Sequence, residues 1–542
     1  MLGPFFYAWR CAMAIKVILL VLFFSVMIVV GIICRKNATD VHGFVLGGRN
    51  VGPWLTAFAY GTSYFSAVIF VGYAGQFGWK FGISSTWIGL GNALIGSLLA
   101  WVLLGRRTRI MTQHLHSQTM PDFFAKRFNS EGLRLISSLI IFVFLIPYTA
   151  SLYNGLSRLF GMAFDIDYTV CIVIMAVLTG IYVIAGGYMA TAINDFIQGI
   201  IMLIGIVMII GSVLKLNGGF TGSLAALAVV QDSTVSEIPG VFDSFFGPDP
   251  ASLFGVILLT SLGTWGLPQM VQKFYAIKSE NDIHKGTVIS TLFAVIVAGG
   301  CYFLGGFARL FPVDIATQGY DAIIPEMLSN LSPLLIGIAL VLVLSASMST
   351  LSSLVLTSSS TLTLDFIAPI VVKKKEDNKN EDKRNLLIIR CFIAVFIVIS
   401  AVIAVIQYKL NVTFIAQLMG LSWGALAGSF LAPFLYSLFW KRTTKAACLV
   451  NFIWGSLLMI ANLIFKSAFP AFLQSPINCG AFAMLGGLLI VPVVSLLSSA
   501  PAKEHTDEVF SCYETTVTVP ITEALNVVPR QTAARKQSAE DQ

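Results

Sequence analysis

The sequence predicts an all-α protein that crosses a membrane many times. Of its 542 residues, 56% are apolar and 11% are charged, and the mean hydropathy is +0.84. An ordinary soluble protein carries roughly 25% charged residues, so a soluble enzyme or a disordered chain is disfavoured. The net charge of +7 does not indicate nucleic-acid binding, because the basic residues lie in short clusters between long apolar runs and form no dense patch.

Thirteen apolar segments are long enough to cross the hydrocarbon layer, which takes about 20 residues of helix. Each must be helical, because no water is present there to satisfy the backbone. The first segment is longer than a signal-peptide core of roughly 7–15 residues and lacks a cleavage site, so we expect it to be retained. The predicted spans are 14–34, 51–77, 83–104, 135–158, 168–190, 192–214, 251–273, 286–311, 333–366, 389–409, 412–438, 446–466 and 479–499.

The basic residues between the spans predict the orientation. With the N-terminus outside, the cytoplasmic loops and tail hold 26 of the 34 Lys and Arg, among them Lys273, Lys278 and Lys285. Cytoplasmic loops of membrane proteins carry an excess of Lys and Arg. One span more or fewer would move every later loop to the other side of the membrane and remove this excess. We therefore predict a multi-pass protein of the plasma membrane with its N-terminus outside and its C-terminus in the cytoplasm.

Charged side chains within predicted spans are few. Asp195 and Asp365 fall in or beside a span, and we expect no Lys, Arg or His at mid-membrane. Intramembrane charges are usually functional, but this pattern does not support a proton relay of buried His and Glu. No nucleophile–base pair, metal cluster or phosphate loop is evident in the sequence, so a membrane enzyme is the least supported class.

The ninth span is rich in hydroxyl groups. From Ser345 to Thr363, 12 of the 19 residues are Ser or Thr, and Ser349, Ser352 and Ser353 share one helix face. Such neutral oxygens, with backbone carbonyls, can replace the water shell of Na⁺ or a similar hard cation. The alternative is that the hydroxyls bond to carbonyls of their own helix and permit close helix packing.

The second and seventh spans are interrupted near their centres. Residues 59–66 read AYGTSYFS and residues 260–268 read TSLGTWGLP. Broken helices at matching positions in two halves of a chain indicate an inverted-repeat transporter and its binding site. The alternative is a pair of Gly/Pro kinks that serve packing alone.

Several motifs together resemble the sodium/solute symporter family, and the resemblance extends from about residue 14 to 499. The proline-transporter branch is the most similar. Tyr188 departs from the family signature, in which Leu, Met or Phe is usual. The motifs are Tyr182–Ala190, Asn194–Gln198, Leu262–Gln269, Gly47–Arg49 and Phe439–Arg442.

The resemblance implies a LeuT-like fold of five plus five inverted helices, with one extra helix before them and two after. The implied domains are 1–50 (N-terminal segment and first helix), 51–214 (first repeat), 215–250 (outer loop), 251–438 (second repeat), 439–499 (two further helices) and 500–542 (cytoplasmic tail).

The resemblance also implies sodium sites. Backbone carbonyls of Thr62, Phe65 and Ala346 and hydroxyls of Ser349 and Thr350 would bind one Na⁺. A second Na⁺ would bind between one carboxylate and three serines, namely Asp195, Ser349, Ser352 and Ser353. Asp195 has an alternative role as an N-cap after Gly186 and Gly187.

The solute is less well specified. Ile69 and Gly89 stand where related sugar transporters have Gln and Glu, so a sugar or sugar acid is the less favoured alternative. Tyr64 and Val68 replace the Asp and Trp of proline transporters. The predicted pocket carries no fixed charge and suits a small amino acid, carboxylate or similar solute, although its aromatic residues could also serve packing. Its residues are Tyr64, Ser66, Ile69, Trp87, Ser261, Thr264 and Gln417.

The sequence therefore predicts a secondary active symporter that imports a small polar organic solute with Na⁺ by alternating access. An uncoupled uniporter or channel on the same scaffold and a membrane sensor are the alternatives. The expected partners are the solute and the lipid bilayer, without nucleic acid. A monomer is plausible, and the oligomeric state stays open.

Overall fold

A computed structural model describes residues 3–164, 167–371, 378–410 and 415–514 of the chain. The part of the predicted tail beyond residue 514 lies outside the described residues. The described chain is helical, and two isolated backbone bridges are the β-structure found in it. The first helices are α1 (Gly3–Cys34), α2 (Val41–Leu46), α3 (Pro53–Tyr64), α4 (Ala74–Phe81), α5 (Thr86–Gly91), α6 (Arg106–His114), α7 (Met120–Phe128), α8 (Glu131–Phe164), α9 (Tyr168–Leu216), α10 (Gly219–Ala228), α11 (Pro250–Gly266) and α12 (Pro268–Ala276).

The second half of the chain continues the helical pattern. Several helices are joined by π-helical turns at Val68–Tyr73, Asn92–Leu99, Trp101–Gly105, Val295–Gly299 and Leu362–Ile367. The remaining helices are α13 (Glu280–Ala294), α14 (Gly300–Gly305), α15 (Ile315–Gln318), α16 (Ile323–Ser329), α17 (Pro333–Thr361), α18 (Ala368–Val371), α19 (Asn378–Leu410), α20 (Ile415–Phe439), α21 (Lys445–Ile464), α22 (Pro476–Leu497) and α23 (Lys503–Phe510).

The helices account for the predicted spans. The described residues contain ten helices long and apolar enough to cross a membrane, or eleven when the bent pair α11 and α12 counts as one span. Two of the ten, Val68–His114 and Tyr168–Leu216, have 47 and 49 residues, which is about 70 Å of helix against about 30 Å of hydrocarbon. Tyr168–Leu216 contains the predicted spans 168–190 and 192–214, and Val68–His114 contains the second half of span 51–77 and all of span 83–104. With α3 as the first half of span 51–77, each of the thirteen predicted segments corresponds to helix.

The chain reverses direction within α9 at Gly187, where φ is 56° and ψ is −152°. Before this glycine, the chain runs alongside α1 in the same direction, since Lys16 donates to the Ala163 carbonyl and Gly31 contacts Tyr182. After it, the chain runs back, since Gln198 contacts Met27 and the later residue Met208 lines one cavity with the earlier residue Leu22. This backbone conformation is nearly exclusive to glycine, which explains where one span ends and the next begins.

Helix α17 lies at the centre of the molecule, and every residue from Leu342 to Thr361 is buried. Ser332 caps its first turn by accepting a hydrogen bond from the Leu335 amide, and Pro333 follows at the first helical position, where no amide donor is needed. Lipid offers hydroxyl groups no hydrogen-bond partner, so the hydroxyl-rich half of this helix is stable when other helices surround it. The core is therefore built around the segment that was predicted to bind the cation.

Candidate functional site

The helix formed by α3 and α4 is broken at its centre, as the sequence predicts. Tyr64 is the last residue of α3, and Phe65 has extended backbone angles of −83° and 120°. The second predicted break lies at Leu267 between α11 and α12, with angles of −80° and 122° and a bend of 46°. Both breaks release backbone carbonyls from helical hydrogen bonds.

The break in α3 lies against the hydroxyl groups of α17. The Ser349 hydroxyl is 3.2 Å from the Thr62 carbonyl oxygen and 3.1 Å from that of Ala346. The Thr350 hydroxyl is 3.2 Å from the Thr62 oxygen, 3.3 Å from the Phe65 oxygen and 3.0 Å from the Ala346 oxygen. All five oxygens predicted for the first sodium site thus lie in one buried cluster, which we call the five-oxygen cluster.

The five-oxygen cluster has the chemistry of a site for a hard monovalent cation. Its ligands are three carbonyls and two hydroxyls, without a charged group. Hard cations such as Ca²⁺ lie about 2.3–2.6 Å from oxygen ligands, so neighbouring ligands at right angles are roughly 3.3–3.7 Å apart. The observed separations of 3.0–3.3 Å are at or just below this spacing. They are also hydrogen-bond distances, and both hydroxyls donate to carbonyls of their own helix, Ser349 to Ser345 and Thr350 to Ala346.

The second predicted cluster contains a cation of the protein itself. The ammonium of Lys273 lies 3.8 Å from Asp195 Oδ2 and donates to the Ser353 hydroxyl at 3.0 Å. Its side chain is 3% exposed. The expectation that Lys273 lies in an inner loop is therefore wrong, because α12 extends to Ala276 and the carboxylate of Asp195 supplies a buried counter-charge.

The other residues of the second cluster have different partners. The Ser352 hydroxyl donates to the Ser349 carbonyl at 2.9 Å, and Ser349 belongs to the five-oxygen cluster. Asp195 lies inside α9, and neither of its carboxylate oxygens accepts a hydrogen bond in the described residues. The alternative role of Asp195 as an N-cap is therefore excluded.

Two residues of the predicted solute pocket use their hydroxyls to join helices. Ser261 donates to the Asn92 side-chain oxygen at 3.0 Å, and Thr264 donates to the Gly96 carbonyl at 3.0 Å. Ile69 is buried with its carbonyl facing Cys301. The structure brings these residues to the interface of the two repeats.

Trp87 and Gln417 lie elsewhere. The Trp87 indole donates to the Phe245 carbonyl at 2.9 Å, and the two rings pack edge to face at 4.8 Å. Gln417 lines two cavities together with Lys466. Trp87 therefore contacts the loop between α10 and α11, and Gln417 lies where the cavities approach the core.

Two aromatic residues that the sequence analysis missed complete a polar aromatic group beside the break. The Trp423 ring lies 5.8 Å from that of Tyr64 and 5.9 Å from that of Tyr148. The Tyr64, Ser66 and Tyr148 hydroxyls and the Trp423 indole nitrogen are buried and make no hydrogen bond of good geometry in the described residues, although the Tyr148 hydroxyl faces the Ser66 hydroxyl and the Trp423 indole. Tyr148 follows Pro147 inside a span, and Trp423 lies among glycines in GLSWGALAG, so each had a local signal.

A model of the sodium:solute symporter family matches residues 44–455 of the chain. The chain belongs to this family. Sodium/proline symporters of Staphylococcus aureus strains JH9 and NCTC 8325 are each 32% identical over 453 residues, which is 82% of this chain and 85% of theirs. The protein is therefore a multi-pass membrane transporter and not an enzyme, and the predicted family is confirmed.

A solved structure confirms the predicted fold. A Na⁺-coupled sialic acid symporter, in a substrate-bound outward-open state, superposes with a TM-score of 0.70 at 18% identity, covering 90% of this chain and 99% of the other. The fold is thus the LeuT-like inverted repeat, with one helix before the repeats and two after them.

The side of the transporter predicted to face outward carries two polar cavities, of about 430 and 560 Å³. Both are lined by Gln417 and Lys466, and the larger one also by Arg309 and Asp232. Arg309 pairs with Asp232 at 2.9 Å. The Thr234 hydroxyl and this guanidinium hold the pKa of the Asp232 carboxyl below its usual range. Both cavities reach Gln417, near the start of α20.

On the opposite side of the transporter, Arg49 joins three segments of the chain. Its guanidinium donates to the carbonyls of Thr112 (3.1 Å), Tyr275 (3.2 Å) and Ser117. A backbone bridge adds to these contacts, since the Val51 amide donates to the Ala276 carbonyl at 3.2 Å. The segments that precede α3 and follow α12 are therefore tied together.

Replacing Arg49 with alanine should open this side and lower Na⁺-driven uptake by about tenfold or more. A hydrogen bond to a charged group contributes about 1.5–3 kcal/mol, so losing four biases the equilibrium between open and closed states. Arg106→Ala is the matched control, because Arg106 is 68% exposed and pairs with Glu280 at the surface. Equal uptake by both variants, in proteoliposomes with an imposed Na⁺ gradient, would contradict the closing role of Arg49.

Proposed function

We propose that the protein is a secondary active symporter that imports a small polar organic solute together with Na⁺. The five-oxygen cluster carries this proposal, because it joins the broken helix α3 to the central helix α17 through neutral oxygens. A cation held there favours one arrangement of the two helices, and differential affinity for two arrangements is what couples ion to solute. The membrane potential contributes about 2.3 kcal/mol per charge per 100 mV.

Neutral oxygens also suit the release step. Thr62, Phe65 and Ala346 would supply carbonyls, and Ser349 and Thr350 would supply hydroxyls. A site without a full negative charge binds Na⁺ less tightly than a carboxylate cage, so the ion can leave in each cycle. The motion would be a rocking of one helix bundle against the other around the break.

The proposed solute is an amino acid or a small carboxylate. The sodium/proline symporter relatives support an amino acid. The unpartnered groups of Tyr64, Ser66, Tyr148 and Trp423 would bond to polar atoms of the solute, since buried polar groups without partners are costly. Its carboxylate would lie near the amides that follow the break, where the dipole of the continuing helix favours negative charge.

We further propose an outer N-terminus and a cytoplasmic C-terminus in the plasma membrane. The distribution of Lys and Arg supports this orientation. It places the two polar cavities outside and Arg49 inside. Solute would then enter from the cavities while Arg49 keeps the opposite side closed.

Uptake of a panel of radiolabelled solutes into proteoliposomes tests this function. The panel would contain proline, other amino acids, monocarboxylates, sugars and sialic acid, each with and without an inward Na⁺ gradient. Accumulation of one amino acid or carboxylate against its gradient, dependent on Na⁺, is expected. Equilibration without Na⁺ dependence would favour a uniporter, and tight binding without flux would favour a sensor.

Replacing Tyr148 with phenylalanine should raise the KM for the solute about tenfold without lowering thermal stability. The Tyr148 hydroxyl faces the Ser66 hydroxyl and the Trp423 indole but makes no hydrogen bond of good geometry in the described residues. Its loss should therefore cost little stability, whereas a lost hydrogen bond to solute is worth about 0.5–1.5 kcal/mol. Tyr153→Phe is the control, since that hydroxyl is also buried and unpartnered on α8. An unchanged KM in Tyr148→Phe would remove this residue from the pocket.

A further inference from the structure

The buried pair of Lys273 and Asp195 lies where a second sodium ion was predicted. Both side chains are buried, at 3% and 0% exposure, and their charged atoms are 3.8 Å apart. In the described residues, neither carboxylate oxygen of Asp195 accepts a hydrogen bond, and Lys273 is the cation recorded beside it. An isolated buried carboxylate is strongly disfavoured, so the ammonium is required where it lies.

The ammonium uses the same oxygens that a second sodium would use. It donates to the Ser353 hydroxyl at 3.0 Å and faces Asp195 Oδ2. It also lies 5.1 Å from the centre of the Tyr188 ring, at which the family signature has Leu, Met or Phe. An aromatic face attracts a cation, so the Tyr188 ring favours a cation at the same place.

The pair is also connected to the first sodium site. The Ser353 hydroxyl is 2.8 Å from that of Ser63, and Ser63 adjoins Thr62 of the five-oxygen cluster. Lys273 belongs to α12, Asp195 to α9 and Ser353 to α17. The ammonium therefore joins the second broken helix to the helix that carries the cation ligands.

We propose that the ammonium of Lys273 is a resident cation that replaces a second sodium, so that the transporter binds and couples a single Na⁺ per cycle. This inference rests on the proposed symport and revises the predicted second sodium site. Two monovalent cations cannot share these few oxygens and the single carboxylate, because they repel each other at short range. The positive charge that relatives with a second ion bring from solution is here part of the chain.

The number of bound ions can be measured without knowing the solute. Purified protein is titrated with NaCl, with N-methyl-D-glucamine chloride keeping the ionic strength constant, and its unfolding temperature is followed. Ligand binding stabilises the native state by mass action. The gain in free energy of unfolding, obtained from the shift in unfolding temperature, is plotted against log Na⁺ concentration, and its slope reports the number of bound ions. For the wild type we expect a slope of one ion.

Lys273→Met should leave the oxygens of Asp195 and Ser353 free to bind a second Na⁺, so the slope should double to two ions. Lys273→Arg keeps a cation and should stay at one ion, and Lys273→Met with Asp195→Asn removes both charges and should return to one. If Lys273→Met is unstable at low Na⁺, recovery at high Na⁺ together with a stable double variant supports the same conclusion. A slope of two in the wild type, or one in all variants, would overturn the inference.

The outcome is separable from that of the proposed function. A wild type that binds one Na⁺ but accumulates no solute keeps the replacement of the second ion by Lys273 and contradicts symport. A wild type that binds two Na⁺ and accumulates solute contradicts the inference and keeps symport.

Discussion

Replacing Thr350 with alanine is expected to abolish Na⁺-driven uptake while the protein still folds and reaches the membrane. The Thr350 hydroxyl contacts three of the carbonyls in the five-oxygen cluster, those of Thr62, Phe65 and Ala346. Alanine removes one of five ligands and the contact across the break. Loss of even an outer partner of a metal ligand costs about 10–100-fold in affinity, so we expect at least a 100-fold rise in the Na⁺ concentration for half-maximal uptake.

Two variants on the same helix control this result. Thr350→Ser keeps the hydroxyl and should retain most of the Na⁺ dependence. Ser358→Ala removes a hydroxyl that is also buried but has no hydrogen-bond partner in the described chain, and it should behave like the wild type. Normal Na⁺ dependence in Thr350→Ala, measured in proteoliposomes at matched protein density, would refute the assignment of the site.

Replacing Gly187 with alanine is expected to prevent the transporter from folding. The reversal inside α9 requires φ of 56° and ψ of −152°, a conformation open in practice to glycine alone, and the strain of another residue there is about 1–3 kcal/mol. A Cβ atom would also lie 2.8 Å from the backbone oxygen of Phe44. The two effects together should lower the free energy of unfolding by about 3 kcal/mol or more. The yield of monodisperse protein in detergent measures the loss.

Gly211→Ala is the matched control for this change, because Gly211 lies in the same helix and a Cβ atom there meets nothing within 4 Å. Alanine is favoured over glycine in a helix by about 1 kcal/mol, so this variant should be as stable as the wild type or more stable. Equal yield and unfolding temperature of the two variants would show that Gly187 is not required for the reversal.

The spans and the five-oxygen cluster could be predicted from the sequence because each leaves a local signal. A membrane span needs a long apolar run, and a broken span needs Gly, Ser or Thr where the run should be apolar. The pairing of Thr350 with the break at Phe65 followed from the family resemblance, and the structure brings these groups within 3.3 Å of each other.

The position of Lys273 and the composition of the aromatic group could not be predicted in this way. Lys273 follows the break in the seventh span, so its charge was assigned to a loop, and its counter-charge Asp195 comes from a helix distant in sequence. Tyr148 and Trp423 meet Tyr64 through the packing of α8 and α20 on the broken helix. The Trp87 side chain points away from the predicted pocket, because the carbonyl of the loop residue Phe245 accepts the hydrogen bond of its indole. Such contacts depend on tertiary packing, which periodicity does not encode.

A high-resolution cryo-electron microscopy map of the wild-type transporter in NaCl tests the central claim most directly. The account predicts density for one ion at about 2.3–2.6 Å from the carbonyls of Thr62, Phe65 and Ala346 and the hydroxyls of Ser349 and Thr350. That density should be absent when N-methyl-D-glucamine chloride replaces NaCl. A map in NaCl that shows a continuous helix at this position, with no ion density among these oxygens, would contradict the claim that they bind Na⁺.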